Sequence, residues 1–515
     1  MLPPLLGQEV EVKLLASDGA AGDSFGASVA ISDTTAIVGA FGGDDNGADS
    51  GSAYLFDAAT GSEIAKLVPG DGAADDQFGW SVAISGTTAI IGAPGDDDNG
   101  LFSGSAYLID TTTGSQVAKL LPVDGAALDS FGYSVAISGT IAIVGAPISD
   151  DNGAASGSAY LFDVTTGSQI AKLLPGDGAA ADQFGVSVAI SGTIAIVGAS
   201  GDDDNGTQSG SAYLFDTTTG GQIAKLLPGA GGAFDEFGLS VAISDTVAIV
   251  GARGDDDNGP DSGSVYLFDT TTGGQIAKLL PGDGAAGDRF GGSIAVSGTT
   301  AIVGASLANT RNGIDSGSAY LFDTTTGNEI ARLLPGDGAE SDAFGWSVAI
   351  GGTAAIVGAV LDDDNGSNSG SAYLRVFDCL ADSYCVTSPN SVGSGAVMGA
   401  TGSVSVSAND LGLQVQSLPA SQFGVFYYGS GQDQASFGDG FRCVGSGGVG
   451  LFRFPPVSTG SAGVASYAVD NASPPGAAGQ ITSGSTWNFQ FWYRDPQGGP
   501  AGFNLSDAVE ITFCP

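Results

Sequence analysis

Gly79-Trp80-Ser81-Val82-Ala83-Ile84-Ser85-Gly86-Thr87-Thr88-Ala89-Ile90-Ile91-Gly92-Ala93-Pro94, with the acidic run Gly95-Asp96-Asp97-Asp98-Asn99-Gly100 behind it, is the stretch whose reading decides the fold. Variants of it occur seven times, led by Phe25-Gly26, Phe78-Gly79, Phe131-Gly132, Phe184-Gly185, Phe237-Gly238, Phe290-Gly291 and Phe344-Gly345. The spacing is 53 residues with one step of 54, and self-similarity at such a period indicates a solenoid or a propeller. Each copy carries four strand-like runs separated by turn residues, in the first copy Ser28 to Ser32, Thr35 to Ala40, Gly51 to Asp57 and Glu63 to Val68. Four strands make one propeller blade. The second run, Thr-Ala-Ile-Val-Gly-Ala, is apolar on both faces, as expected of a strand sandwiched between neighbouring blades.

The ends of the repeat region predict how the ring closes. Gln8-Glu9-Val10-Glu11-Val12-Lys13-Leu14-Leu15 matches the fourth run of later copies but precedes the first Phe-Gly, whereas the seventh copy stops after its third run at Tyr373-Leu374-Arg375-Val376-Phe377. The N-terminal strand is therefore expected to complete the seventh blade and to cover an edge that would otherwise be bare. The predicted fold class is all-β: a seven-bladed β-propeller over residues 1–378 closed by an N-terminal strand, followed by a disulfide-containing β-sandwich over residues 379–515.

Charge narrows the partners. Against 56 acidic residues stand 14 basic ones, a formal net charge of −42, which repels phosphate backbones and anionic lipid surfaces and argues against nucleic acid. No apolar run approaches the roughly 20 residues that cross a bilayer, so no membrane insertion is expected. Half of the basic residues fill one repeated slot: Lys13, Lys66, Lys119, Lys172, Lys225, Lys278 and Arg332. That slot falls on each blade's outermost strand, where a charge is expected to discourage edge-to-edge pairing. Met1 to Gly7 lacks the basic and long apolar segments of a secretory signal, so export is expected after its removal or by another route. Cys379, Cys385, Cys443 and Cys514 all lie beyond the repeats. An even number in such a domain favours two disulfides, with three pairings open.

The units Phe-Gly-x-Ser-Val-Ala-Ile-Ser, Ala-Ile-Val-Gly-Ala-Pro and Gly-Ser-Ala-Tyr-Leu-Phe-Asp resemble FG-GAP repeats, the blades of integrin-alpha-type propellers, in their bacterial version, over about residues 8 to 377. In the integrin version the resemblance implies calcium held by a D-x-D-x-D-G loop between the first and second strands. Here that connection is Ser-Gly-Thr-Thr or a near variant, too short and too poor in carboxylate. The acidic run lies instead between the second and third strands. Because consecutive strands alternate in direction, it is expected on the same side of the disc as the fourth-to-first loop, Asp71 to Gln77. One face is thus predicted to collect nearly all the acid, and the other to carry nearly neutral, hydroxyl-rich turns.

Candidate metal ligands follow from aligning these runs: Asp44-Asp45-Asn46, Asp97-Asp98-Asn99, Asp150-Asp151-Asn152, Asp203-Asp204-Asn205, Asp256-Asp257-Asn258 and Asp363-Asp364-Asn365, each followed by Gly. Adjacent carboxylates repel unless compensated, and Ca2+ takes about 6 to 8 oxygens, which two Asp, an Asn carbonyl, backbone oxygens and water would supply. The Asp two residues before each Phe-Gly (Asp23, Asp76, Asp129, Asp182, Asp235, Asp288, Asp342) emerges on the same face as a further candidate. In the sixth copy, Asn309-Thr310-Arg311-Asn312-Gly313, Arg311 would supply its own charge in place of an ion. The alternative is that Asp-Asn-Gly forms Asx-capped turns with solvated carboxylates, Asn and Gly tolerating positive φ. Both readings stand at this level.

Beyond Cys379 the period is lost. Runs such as Ser403 to Ser407, Leu413 to Gln416, Gly463 to Val469 and Trp487 to Arg494 alternate wholly or in part as half-buried strands do, which indicates a β-sandwich. The stretch from Phe491 through Asp507 to Cys514 is similar to terminal domains of secreted bacterial surface proteins. Trp487, Phe489, Phe491 and Tyr493 share one face as core; Trp492 and Arg494 on the other either cover the sandwich or form a sugar-stacking platform. Enzymatic activity is not expected: the chain has no His, and its Asp residues recur blade after blade instead of being placed once. The leading expectation is a secreted or cell-surface binding or adhesion protein that meets a protein or glycan ligand on its acidic face. The alternatives are a structural surface component that assembles into homo-oligomers and, behind it, a polysaccharide-active enzyme using an Asp pair.

Overall fold

The computed structural model describes residues 9–513 apart from 33, 352–353, 378–380, 386, 402–403, 405, 407–408, 410, 472 and 483–484. The repeat region forms seven four-stranded antiparallel sheets. Blade 1 comprises Ser28–Ile31, Thr35–Ala40, Ser52–Asp57 and Glu63–Leu67, hydrogen-bonded in sequence order, and blades 2 to 6 repeat it. In blade 7 the order is Glu9–Leu14, Ser371–Phe377, Ala354–Ala359, Phe344–Gly351, so the N-terminal strand is the seventh blade's fourth strand. The ring closes because successive first strands touch all the way round, Phe344–Gly351 meeting Ser28–Ile31.

The repeated residues have physical reasons to recur. The Ser after Phe-Gly-x donates its hydroxyl to the Phe-Gly carbonyl of the next blade: Ser81 to Gly132 O at 2.8 Å, Ser134 to Gly185 O at 2.8 Å and, across the closure, Ser347 to Gly26 O at 2.7 Å. At this seam the backbones come so close that a Cβ on Gly92, in the second strand, would stand 1.9 Å from Gly132 O. Gly132 itself sits at φ +92°, a region that only glycine enters cheaply. The buried Phe131 packs edge-on against Tyr160 at 5.5 Å and Phe162 at 5.8 Å of its own third strand, a geometry that aromatic pairs prefer. Second strands are buried on both faces, Ile141–Ala146 being accessible only at its first residue, as the unbroken apolar run predicts.

The N-terminal strand is held by charge as well as by its ladder. Glu11 pairs with Arg375 and accepts the Gly336 N–H at 3.0 Å. Arg375 stands where blades 1 to 6 carry Phe or Ile, so the last blade alone has a cation on its third strand to meet that glutamate.

The chain divides into two compact units, one of Glu11–Val376 and one that includes Phe377–Pro515. In the second, a sheet ordered Ala381–Tyr384, Phe503–Thr512, Thr486–Arg494, Phe423–Gly429, Leu451–Arg453 packs against the three-stranded sheet Val397–Thr401, Gly412–Gln416, Ala465–Ala468. Phe426, Phe489 and Phe491 from the first and Met398, Leu413 and Val415 from the second share the core between them. The hairpin Gly431–Phe437, Gly440–Gly445 lies on the other face of the larger sheet, where Gln490 accepts the Cys443 N–H at 2.9 Å and donates to Phe441 O at 2.8 Å. Cys385 and Cys443 are disulfide-bonded; Cys379 and Cys514 lie outside the described residues, as does most of the run Ser403 to Ser407.

Candidate functional site

Antiparallel register places a Tyr of each third strand opposite the basic residue of the fourth, as Tyr107 opposite Lys119. The ammonium lies over the Tyr ring, 5.0 Å from the centroid for Lys278 and 5.3 Å for Lys13 and Lys66, within cation–π range. The acidic second-to-third loop of the blade and the fourth-to-first loop that leads into it from the preceding blade then close around it. Lys119 Nζ stands 2.9 Å from Asp71, 2.8 Å from Asp96 and 2.7 Å from Asp98. The Tyr107 hydroxyl donates to Asp96 at 3.0 Å.

The same cage recurs with local losses. Lys225 meets Asp177, Asp202 and Asp204, and Lys13 meets Asp337, Asp362 and Asp364, each within 3.1 Å. Lys278 keeps Asp255 and Asp257, its third position being Ala230. Lys66 and Lys172 keep two partners each, Asp18 and Asp45, Asp124 and Asp151, because Gly43 and Ser149 occupy the buried aspartate's position. Blade 6 has Ala308 there and an arginine in the basic slot, Arg332, which pairs with Asp283.

These contacts correct the reading of the basic slot as edge protection. The residues do sit on outermost strands, but a half-buried ammonium is stable only with carboxylates beside it, and the acidic loops supply them. Arg311 is exposed and has no ion pair among the described residues; in blade 6 the cation inside the cage is Arg332.

The predicted ligands separate into three fates. Asp45, Asp98, Asp151, Asp204, Asp257 and Asp364 face the lysine of their blade. Asp44, Asp97, Asp150, Asp203, Asp256 and Asp363 are exposed, and each accepts the backbone N–H five residues on, as Asp97 does from Phe102 at 2.7 Å. Asn46, Asn99, Asn152, Asn205, Asn258 and Asn365 each donate their backbone N–H to a serine hydroxyl at 2.9 to 3.1 Å. The Asn46 and Asn312 side chains turn their amide nitrogens to the carbonyls of Pro69 and Pro335. The Asp before Phe-Gly is nearly inaccessible and caps its own turn: Asp76 accepts the Ala73 N–H at 2.7 Å.

Sequence reasoning missed two sets of carboxylates: the buried Asp96, Asp202, Asp255 and Asp362, and the loop residues Asp18, Asp71, Asp124, Asp177, Asp283 and Asp337. Their signal lay in the copies themselves, since the one blade without the Asp-Asp run between its second and third strands is also the one whose slot holds Arg in place of Lys.

The energetics follow from the geometry. Burial disfavours the Lys119 ammonium, but hydrogen bonds to Asp96, Asp98 and Asp71 outweigh it and hold its pKa above the ordinary range. Burial likewise raises Asp71, yet the bond and charge of Lys119 bring it below its usual value. Asp76 has no cation in contact, and burial pushes it up to about 6 against the opposing Ala73 N–H.

A calcium ion does not fit this donor set. Of each pair of adjacent aspartates, one turns to its own backbone and the other to lysine, while the asparagine offers its amine side where that side chain is resolved into a bond. Among the described residues no group of three or more Asp, Glu, His or Cys is arranged to hold a metal. The opposite side is less neutral than its hydroxyl-rich composition suggests, because the third-to-fourth turns of blades 1 to 6 each carry one aspartate, such as Asp110, bound by the N–H and hydroxyl of Thr112.

A family model described as FG-GAP repeat matches residues 9–56, 62–109, 115–162, 168–215, 221–268, 274–322 and 328–377. No curated protein matches the chain.

Proposed function

Since the chain belongs to the FG-GAP repeat family, we propose that it is an extracellular binding protein whose propeller meets a basic protein or glycan partner through its acidic loops. Repeats of this kind are typical of extracellular proteins and of propellers often involved in adhesion or binding, and the family is generally non-enzymatic. No helix among the described residues is long and apolar enough to cross a membrane.

The observation that carries the reading is the set of exposed carboxylates left after the cages are filled. Asp44, Asp97, Asp150, Asp203, Asp256 and Asp363 have only a backbone N–H as partner and no ion pair among the described residues. They repeat with the blades, so a partner with spaced cationic groups gains from several at once. Such a field raises association rates and is screened by salt.

The test is the triple variant Asp97→Asn, Asp150→Asn, Asp203→Asn, which keeps each Oδ1 acceptor for the loop N–H and removes three charges. On protein and glycan arrays its captured signal is expected to fall and its salt dependence to flatten. Capture unchanged by the variant would end this reading.

A further inference from the structure

The second unit contains a cleft of about 430 Å³ lined by Tyr427, Phe437, Arg442, Leu451, Arg453 and Trp492 among others. It lies on the face of the larger sheet that carries the hairpin. Tyr427 stands directly opposite Arg453, and Val425 opposite Trp492. The hairpin covers one end of this face, fixed by Gln490 and by the Cys385–Cys443 bond, and leaves the cleft open beside it. Phe437 and Leu451 on its rim are exposed although they are large and apolar.

The charge of the lining is the opposite of the chain's. From Phe377 onward the only basic residues are Arg442, Arg453 and Arg494, and two of the three line this cleft. Arg442 is engaged by Asp433. Arg453 is exposed and has no partner among the described residues, and the Trp492 indole N–H has none there either. The Tyr427 hydroxyl is already committed to Gln490. What the cleft offers a ligand is therefore flat aromatic surface and hydrogen-bond donors, with almost no free acceptor. A neutral sugar offers a guanidinium only single hydroxyl oxygens and a peptide only single carbonyls, whereas an anionic sugar adds a carboxylate that accepts two parallel bonds and balances the charge.

We propose that this cleft binds a carboxylated sugar, a uronic acid residue of a polysaccharide. The ring stacks its C–H face on Trp492 and Phe437, and its carboxylate takes the planar fork of Arg453, the geometry in which guanidinium and carboxylate pair by two parallel bonds. The volume lies within the range of small-ligand sites. Arg494, the expected neighbour of Trp492 in a stacking platform, does not line the cleft; Arg453 from the adjoining edge strand takes that role. The site is independent of the propeller's loops, and its failure leaves the reading of those loops untouched.

The experiment titrates the full chain with oligogalacturonate, the matching neutral galactose oligomer, benzoate and a short peptide, followed by calorimetry and tryptophan fluorescence. The uronate is expected to bind and to quench fluorescence, with the neutral oligomer weaker by about tenfold or more. Arg453→Gln, at an exposed position, is expected to cost the uronate about tenfold with the thermal unfolding curve unchanged, and Asp433→Asn, which releases Arg442, to tighten it. Equal binding of neutral and acidic oligomers, a uronate affinity indifferent to Arg453→Gln, or binding of benzoate or peptide in place of uronate would each overturn the proposal.

Discussion

Replacing Lys119 by Met removes the cation of one cage and leaves its shape. Asp96, whose side chain is 4% exposed, then stays buried with only the Tyr107 hydroxyl and a backbone N–H, while Asp71 and Asp98, about half exposed, lose a partner they can exchange for water. Removing one partner of a fully buried pair costs about 3–5 kcal/mol, and an exposed pair contributes about 0–1 kcal/mol. Because Lys119 is itself 14% exposed and one of its three partners is buried, the expected loss is about 2–4 kcal/mol. Blade 3 is the internal control: Lys172 meets only Asp124 and Asp151, which are 49% and 24% exposed, so Lys172→Met should cost about 1 kcal/mol. Equilibrium urea unfolding of the two variants, read from the midpoint shift at constant slope, measures the difference. Equal losses in the two blades would refute the argument that burial of the Asp96-type carboxylate sets the cost. The emptied blade 2 cage should also gain stability from added calcium, as three carboxylates without a counter-ion favour any cation that reaches them.

Other outcomes follow from the same geometry. The wild-type unfolding midpoint should be unmoved by excess calcium or by chelator; a calcium-dependent rise would show that a donor set other than the lysine cages binds the ion. Gly92→Ala drives a Cβ to 1.9 Å from Gly132 O and should cost more than about 3 kcal/mol, whereas Gly86→Ala, at φ +57° with no atom within 4 Å, should cost about 1 kcal/mol, both by urea unfolding. Asp76 has a folded-state pKa raised to about 6 from an ordinary 3.8, so the native state holds the extra proton between those values and stability from this group falls as pH rises from about 4 to 6. Asp76→Asn should remove that part of the slope. Asp71, held below its ordinary value, works oppositely: its contribution is present above about pH 4 and is lost as pH falls through the folded pKa, and Asp71→Asn should flatten the acid limb of the unfolding profile.

What the amino-acid sequence determined alone was the architecture. A period of about 53 residues, four short runs per period, and a spare fourth run at the N-terminus matched by a missing one at the end of the seventh copy are all local or repeated features, and they pointed to a closed ring because periodicity and turn chemistry act along the chain. The strand bounds in blade 1 agree with those runs to within a residue. The function of the basic slot was not legible in this way. Lys119 is separated from Asp71 by 48 residues and from Asp96 by 23, and their meeting depends on two loops far apart in the chain closing over one cross-strand Tyr–Lys pair. Read along the chain, the aspartates are a run of uncompensated charge that calls for an ion. In three dimensions the protein brings an ammonium of its own to that point, and packing, which no local pattern encodes, decides which carboxylates it meets. The cleft of the second unit has the same origin: Arg453 and Trp492 lie 39 residues apart in the chain, and only the hydrogen-bonding of both their strands to Phe423–Gly429 puts them on one wall.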